Sequence, residues 1–197
     1  MAIRRIVTPR AVRLPLRWVA AALVGVAAVA RAQPVQVLDD TGRTVTLPRP
    51  AQRIVSLAPH LTELLFAAGA GERVVGAVAY SDFPAAARQV PRIGDSAQLD
   101  LERIVTLKPD LLVVWRDGNS AQQLDRLAAL KLPVFASEIH RMADIETTLQ
   151  RLGTLAGTRD AADAHARIFV GEIAQLRVRY AQRTPLNAEM RQMWVDL

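Results

Sequence analysis

The stretch RIVSLAPHLTELLFAAGAGERVVGAVAYSDFP, Arg53 to Pro84, decides the fold. Ile54–Leu57 is a short apolar run with β-branched residues, which predicts a buried strand. Pro59 suits a first helical position, where its missing N–H costs nothing. Leu61, Leu64, Leu65 and Ala68 then recur at helical spacing. Gly69 and Gly71 stop that helix. Val74–Val78 is the next strand. The segments after the two strands, Ala58–His60 and Ala79–Pro84, become loops.

The same rhythm extends in both directions. Upstream, Val35–Leu38 and Thr44–Leu47 flank Asp39-Asp40-Thr41-Gly42, which predicts a hairpin. Downstream, Asp100 caps a short helix, Leu101–Leu107, and Leu111–Trp115 is a third buried strand. Asn119 or Ser120 caps a helix through Leu130, with Leu124, Leu127 and Leu130 on one face. Pro133–Ala136 is a fourth strand. Ile145, Leu149, Leu152 and Leu155 mark another helix, ended by Gly157. Strands alternating with helices predict an α/β fold with a parallel sheet covered by helices on both faces. Ligands of such sheets sit beyond the carboxyl ends of the strands. The loops of interest are therefore Ala58–His60, Ala79–Pro84, Arg116–Asn119 and Ser137–His140.

From Asp160 to about Arg183 there is no proline, and Ile168, Phe169, Ile173, Leu176 and Tyr180 share a helical period. About 24 residues make a rod of roughly 36 Å. Thr184-Pro185 ends it.

Charge is unevenly spread. The chain of 197 residues has 25 basic and 19 acidic side chains. Residues 1–32 hold six arginines (Arg4, Arg5, Arg10, Arg13, Arg17 and Arg31) and no acid. The remainder is neutral, so it lacks the basic footprint of a nucleic-acid binder. The basic start, the apolar run Trp18–Ala30 and Ala30-Arg31-Ala32 follow the layout of a cleavable secretory signal over residues 1–32. Thirteen apolar residues span about 20 Å of helix, short of a bilayer core of roughly 30 Å. There is no cysteine, hence no disulfide and no lipid attachment site.

Catalytic patterns are weak. Gly69, Gly71 and Gly76 have the wrong spacing for a dinucleotide loop, and they follow a helix where that motif must follow a strand. Gly94-Asp95-Ser96-Ala97-Gln98 lacks the second glycine of a nucleophile elbow. His60, His140 and His165 are far apart, and no metal site is expected. Aromatic residues are scarce, yet Tyr80, Phe83 and Trp115 fall at or just past strand ends. There they either pack on the sheet edge or form a stacking wall for a large, flat ligand.

DDTGRTVTLPRPAQRIVSLAPHLTELLFAAGAGERVVG (39–76), YSDFP (80–84), LDLERIVTLKPDLLVVWRDGN (99–119) and LPVF (132–135) together resemble the periplasmic solute-binding proteins of cobalamin and iron-chelate ABC importers. YSDFP and WRDGN are most similar to the cobalamin-binding branch. The resemblance runs from about Val35 to Arg183. It implies two α/β lobes joined by one long rigid helix, with the ligand held between them. It implies ligand contact for Tyr80, Trp115 and the loop Ala58-Pro59-His60, and docking of Glu102 onto arginines of a membrane permease. There are two departures. Cobalamin binders place a stacking tryptophan where this chain has Ser96, which leaves cobalamin open against haem or a siderophore. QMWVDL reads as the first strand of a second lobe, and the rest of that lobe is expected to be missing.

The resulting expectation is a signal peptide over residues 1–32, an N-terminal α/β lobe over 33–157, a connecting helix over 158–184 and the start of a second lobe over 185–197. The expected function is cobalamin binding in the periplasm and delivery to an inner-membrane ABC permease, by a monomer without a cofactor of its own. Pro59, His60, Tyr80, Ser96 and Trp115 are the expected ligand contacts, and Glu102 the permease contact. The alternatives are an iron-siderophore or haem receptor, a hydrolase-like enzyme using Ser96 and a histidine, and a remnant that binds nothing.

Overall fold

The structure is a computed structural model, and it describes residues 34–95 and 98–183. The expected signal peptide, Ser96 and the start of a second lobe lie outside the described residues.

The chain begins with a hairpin of β1 (Val35–Leu38) and β2 (Thr44–Leu47), paired antiparallel with Val37 opposite Val45. Asp39 closes the turn: its carboxylate accepts from the N–H groups of Thr41 and Arg43, both at 2.9 Å. Gly42 takes the left-handed conformation there, φ 79°.

Next come β3 (Ile54–Ser56), α1 (Pro59–Ala67) and β4 (Val74–Ala77). They are followed by α2 (Leu101–Thr106), β5 (Leu111–Trp115), α3 (Ala121–Ala128) and β6 (Val134–Ser137). The described chain closes with α4 (Met142–Ala156) and α5 (Arg159–Tyr180). The expected caps form. Asp100 accepts from the Arg103 N–H at 2.8 Å. Ser120 and Gln123 make a reciprocal capping box, which selects Ser120 over Asn119 as the cap. Gly157 ends α4 at φ 69°.

β3 to β6 form one parallel sheet in the order β4-β3-β5-β6. Alternate residues of each strand feed opposite faces. Ile54, Leu111, Val113 and Phe135 pack under α1 and α4. Val55, Leu112, Val114 and Ala136 pack with Ile104 of α2 and Leu127 of α3. The sheet is therefore covered on both sides, as its apolar strands require.

α5 forms where the sequence pattern predicts a long helix. Its buried residues are Ala162 and Ala166, while Ile168, Leu176 and Tyr180 are exposed. Small side chains let α5 approach α4 closely: a Cβ on Gly153 would lie 2.3 Å from the Ala162 Cβ. The apolar period marks a face that the described residues leave uncovered.

Candidate functional site

Because the four strands are parallel, the loops after them leave one edge of the sheet. From β3 the chain steps outward to β4, then returns to the other side of β3 to build β5 and β6. The loops after β3 and β5 therefore diverge, and in open sheets this switch point is the crevice at which ligands sit.

His60 and Trp115 meet at that crevice. His60 is the second residue of α1, and Trp115 is the last residue of β5. Their ring centroids are 5.1 Å apart at 90°, an edge-to-face contact. Burial disfavours the imidazolium and holds the His60 pKa below its ordinary value. The ring is thus neutral at neutral pH, and its edge-to-face partner is the indole.

The loop after β5 is shaped around Trp115. A Cβ on Gly118 would fall 1.9 Å from the Trp115 Cε3, so the indole occupies the space a side chain would need. Asn119 is buried and fastens the turn from both directions. Its Oδ1 accepts from the Trp115 N–H at 2.9 Å, and its own N–H donates to the Trp115 carbonyl at 2.9 Å. Its Nδ2 donates to the Leu57 carbonyl at 3.5 Å, linking the ends of β5 and β3.

The loop after β4 carries Tyr80, which is 82% exposed and left-handed at φ 65°. A tyrosine in that conformation is held there by its surroundings. The restraint comes from the next two residues. The fully buried Ser81 hydroxyl is 3.1 Å from the Thr62 hydroxyl, which is 2.9 Å from that of Ser56. The Arg92 guanidinium donates to the Ser81 carbonyl at 2.9 Å and to the Asp82 carboxylate at 3.0 Å. A hydroxyl chain inside and a guanidinium outside thus fix the loop while the phenol projects to solvent. Phe83, two-thirds exposed, continues the same rim.

The fourth loop is tied by charge. Arg116 pairs with Glu138 at 2.7 Å, and His140 Nε2 lies 3.7 Å from Glu138 and 3.8 Å from Asp117. His140 thus faces carboxylates, and among the described residues no cluster suits a metal ion. His165 is exposed on α5, with its Nδ1 3.1 Å from the Ala161 carbonyl.

The structure brings His60 and Trp115 together, with Pro59 next to His60 at the start of α1, and sets Tyr80 on the loop after β4. Glu102 stands apart, exposed in the first turn of α2. The sequence marks the loop of Gly118 and Asn119 but not their roles beneath Trp115, and it does not mark Thr62. Thr62 was concealed as a polar residue inside a helical pattern. Gly118 and Asn119 followed a strand-end tryptophan, a signal that a shaped turn was present.

Residues 54–195 match the family described as periplasmic binding protein. The vitamin B12-binding protein of Yersinia pestis (strain Pestoides F) is 39% identical over 142 residues, 72% of this chain and 51% of that protein. The crystal structure of the periplasmic vitamin B12-binding protein of Vibrio cholerae aligns with a TM-score of 0.66 at 34% identity, over 69% of this chain and 53% of that one. A periplasmic haem-binding protein from Pseudomonas aeruginosa aligns with a TM-score of 0.60 at 26% identity, over 68% of this chain and 50% of that one. The chain spans about half the length of the curated relatives it matches. Motif order, sheet topology and these similarities agree: the chain belongs to the periplasmic binding protein family.

Proposed function

We propose that this chain is a substrate-binding component of an ABC importer, that it takes cobalamin in the periplasm, and that it presents the vitamin to an inner-membrane permease. The observation that carries the reading is the aromatic wall at the crevice. Trp115 is seated against Gly118 and braced by His60, and Tyr80 projects to solvent from the loop after β4. A corrin ring is broad and amphipathic, and rigid aromatic side chains at a crevice suit it. The B12-binding names of the relatives support cobalamin over other chelates. In this reading residues 33–157 are a ligand-binding lobe, 158–184 a connecting helix, 185–197 the start of a second lobe and 1–32 an export signal. Ser96 belongs to the ligand rim. Glu102, exposed and unburdened by the core, is the permease contact.

The test is calorimetric titration of the chain with cyanocobalamin, haemin and a ferric catecholate. Heat with cyanocobalamin that weakens in Tyr80→Ala supports the reading. Binding of haemin or the ferric catecholate in its place moves the assignment to the iron-chelate branch. A folded chain that binds none of the three overturns it, and turnover of a generic ester favours the hydrolase alternative. Glu102→Ala should leave the titration unchanged and reduce uptake, because a charge-assisted contact worth about 1–3 kcal/mol is lost at the permease. Equal uptake by variant and parent removes the docking role.

A further inference from the structure

The hairpin of β1 and β2 supplies no side chain to the aromatic wall, yet its turn reaches the carboxyl end of the sheet. The Asp40 N–H donates at 3.1 Å to the carbonyl of Ala136, the residue before the last of β6. Two adjacent aspartates divide the work of that turn. Asp39 is buried and closes it from within, where its carboxylate also accepts from the Thr41 hydroxyl at 2.7 Å. The Asp40 carboxylate acts outward. One of its oxygens pairs with the Arg151 guanidinium of α4, and the other accepts from the Glu138 N–H at 2.8 Å. Hairpin, α4 and the loop after β6 thus meet at one side chain, which is 18% exposed. Bonds to an ionised carboxylate are stronger than neutral ones, and partial burial keeps water from replacing them.

The line of contacts continues past Glu138. The Glu138 carboxylate accepts from the Arg116 guanidinium at 2.7 Å, and the Arg116 N–H donates to the Ser137 carbonyl at 3.1 Å. Arg116 directly follows Trp115. Glu138 is therefore held through its backbone by the hairpin, and through its side chain it holds the loop that leaves the indole. Removing the Asp40 carboxylate takes the acceptor from the Glu138 N–H and frees the backbone that aims Glu138 at Arg116.

We propose that Asp40 is a positioning residue of the ligand site: through Glu138 and Arg116 it fixes the loop that follows Trp115, and the hairpin serves as a strut for the aromatic wall. The inference rests on the reading of Trp115 as a ligand contact, and it gives the hairpin a role in binding as well as in packing. The two oxygens of Asp40 have different effects. The bond to Glu138 sets the loop, while the pair with Arg151 anchors the hairpin on α4 and contributes stability.

The experiment combines amide hydrogen exchange with cyanocobalamin titration on the full chain. Asp40→Ala should speed exchange of the Glu138 amide by about tenfold or more, and that of the Arg116 amide by about threefold. It should weaken cyanocobalamin binding about fivefold, because the wall is left less well held. Arg151→Met breaks the ion pair and keeps the Asp40 carboxylate on Glu138. It should lower the melting temperature while exchange at Glu138 and affinity stay within about twofold of the parent. Asp40→Asn in the Arg151→Met background retains an amide oxygen for the Glu138 N–H and should recover the affinity that Asp40→Ala loses. Arg116→Gln cuts the line beyond the hairpin. It should repeat the affinity loss with Glu138 exchange unaltered, and it serves where Asp40→Ala does not fold. Unchanged exchange at Glu138 and Arg116 in Asp40→Ala overturns the proposal, and this arm needs no ligand. A parent that binds no cyanocobalamin therefore counts against the ligand reading, and exchange still decides whether Asp40 holds the loop. Parental affinity in a folded Asp40→Ala or Arg116→Gln chain overturns the role in binding. An affinity loss in Arg151→Met equal to that in Asp40→Ala overturns it as well, since binding would then follow stability alone.

Discussion

The two ends of the parallel sheet are fastened in opposite ways. At the amino end the polar groups lie on the outside. The Asp110 carboxylate accepts from the N–H groups of Gln52 and Arg53, both at 2.9 Å, and Arg53 Nε donates to the Leu107 carbonyl at 2.8 Å. At the carboxyl end the polar groups lie inside. Ser56, Thr62, Ser81 and Asn119 are buried, while Tyr80, Phe83 and Trp115 are exposed. A sheet end built only for stability would keep its aromatic side chains inside and its hydroxyls in water. The inversion at the carboxyl end leaves aromatic surface exposed and ties the loops to buried polar groups beneath it. Substitutions at the two ends should therefore separate binding from stability.

The largest expected effect is on ligand affinity. Trp115→Ala removes the centre of the wall and should weaken cyanocobalamin binding by about 2 kcal/mol, roughly thirtyfold. Gly118→Ala sharpens the point, because it leaves every proposed contact residue unchanged and displaces only the indole. It should cost about tenfold in affinity, with the Trp115 emission shifted toward that of an exposed indole. Unchanged emission and affinity in Gly118→Ala would show that the turn does not position the ring.

Thr62→Val is isosteric and lies under the crevice. It leaves the Ser56 and Ser81 hydroxyls short of a partner and should destabilise the fold by about 1–3 kcal/mol in urea unfolding. Because Ser81 follows Tyr80, the loop should also loosen, and cyanocobalamin affinity should fall with stability. At the other end, Asp110→Ala should cost about 1 kcal/mol of stability and nothing in affinity. A loss of affinity in Asp110→Ala would break the division between the two ends.

Much of this plan was legible in the residues. The strands Ile54–Ser56 and Leu111–Trp115 announce themselves as apolar runs, and Asp100 and Ser120 announce the helices that they cap. Tyr80 and Trp115 were singled out by scarcity and by their places at strand ends. The contact of His60 with Trp115 was not legible, since it depends on β5 lying beside β3, and strand order is set by the packing of the whole sheet. The hydroxyl chain was hidden for a related reason. Serine at a strand end and threonine in a helix are each ordinary, and only tertiary structure brings Ser56, Thr62 and Ser81 together. The length of α5 was legible in its period, but period alone does not tell a packed stripe from an uncovered one, and here the alanines make the contact.

The smallest effect is the pH response of His60. Its folded pKa is lowered by burial, so the unfolded chain binds a proton more readily than the folded one. Stability is then full above the ordinary imidazole value of about 6.5 and declines as pH falls below it, until the folded pKa is reached and the loss levels off. The direction is opposite to that of a histidine that gains a carboxylate partner. His60→Gln has no proton to gain, so it should lack this component. Thermal melts of the parent and of His60→Gln, followed from pH 7.5 to pH 5, should therefore converge as the pH falls. The change in their difference should be smaller than the ~2–4 °C that 1 kcal/mol is worth in a chain of this size. The same protonation places a charge beside the Trp115 indole, so cyanocobalamin affinity in the parent should acquire a pH dependence over that window that His60→Gln does not share. Parallel melts and parallel affinities across the range would mean that His60 is no more buried than an ordinary surface histidine, and would remove it from the wall.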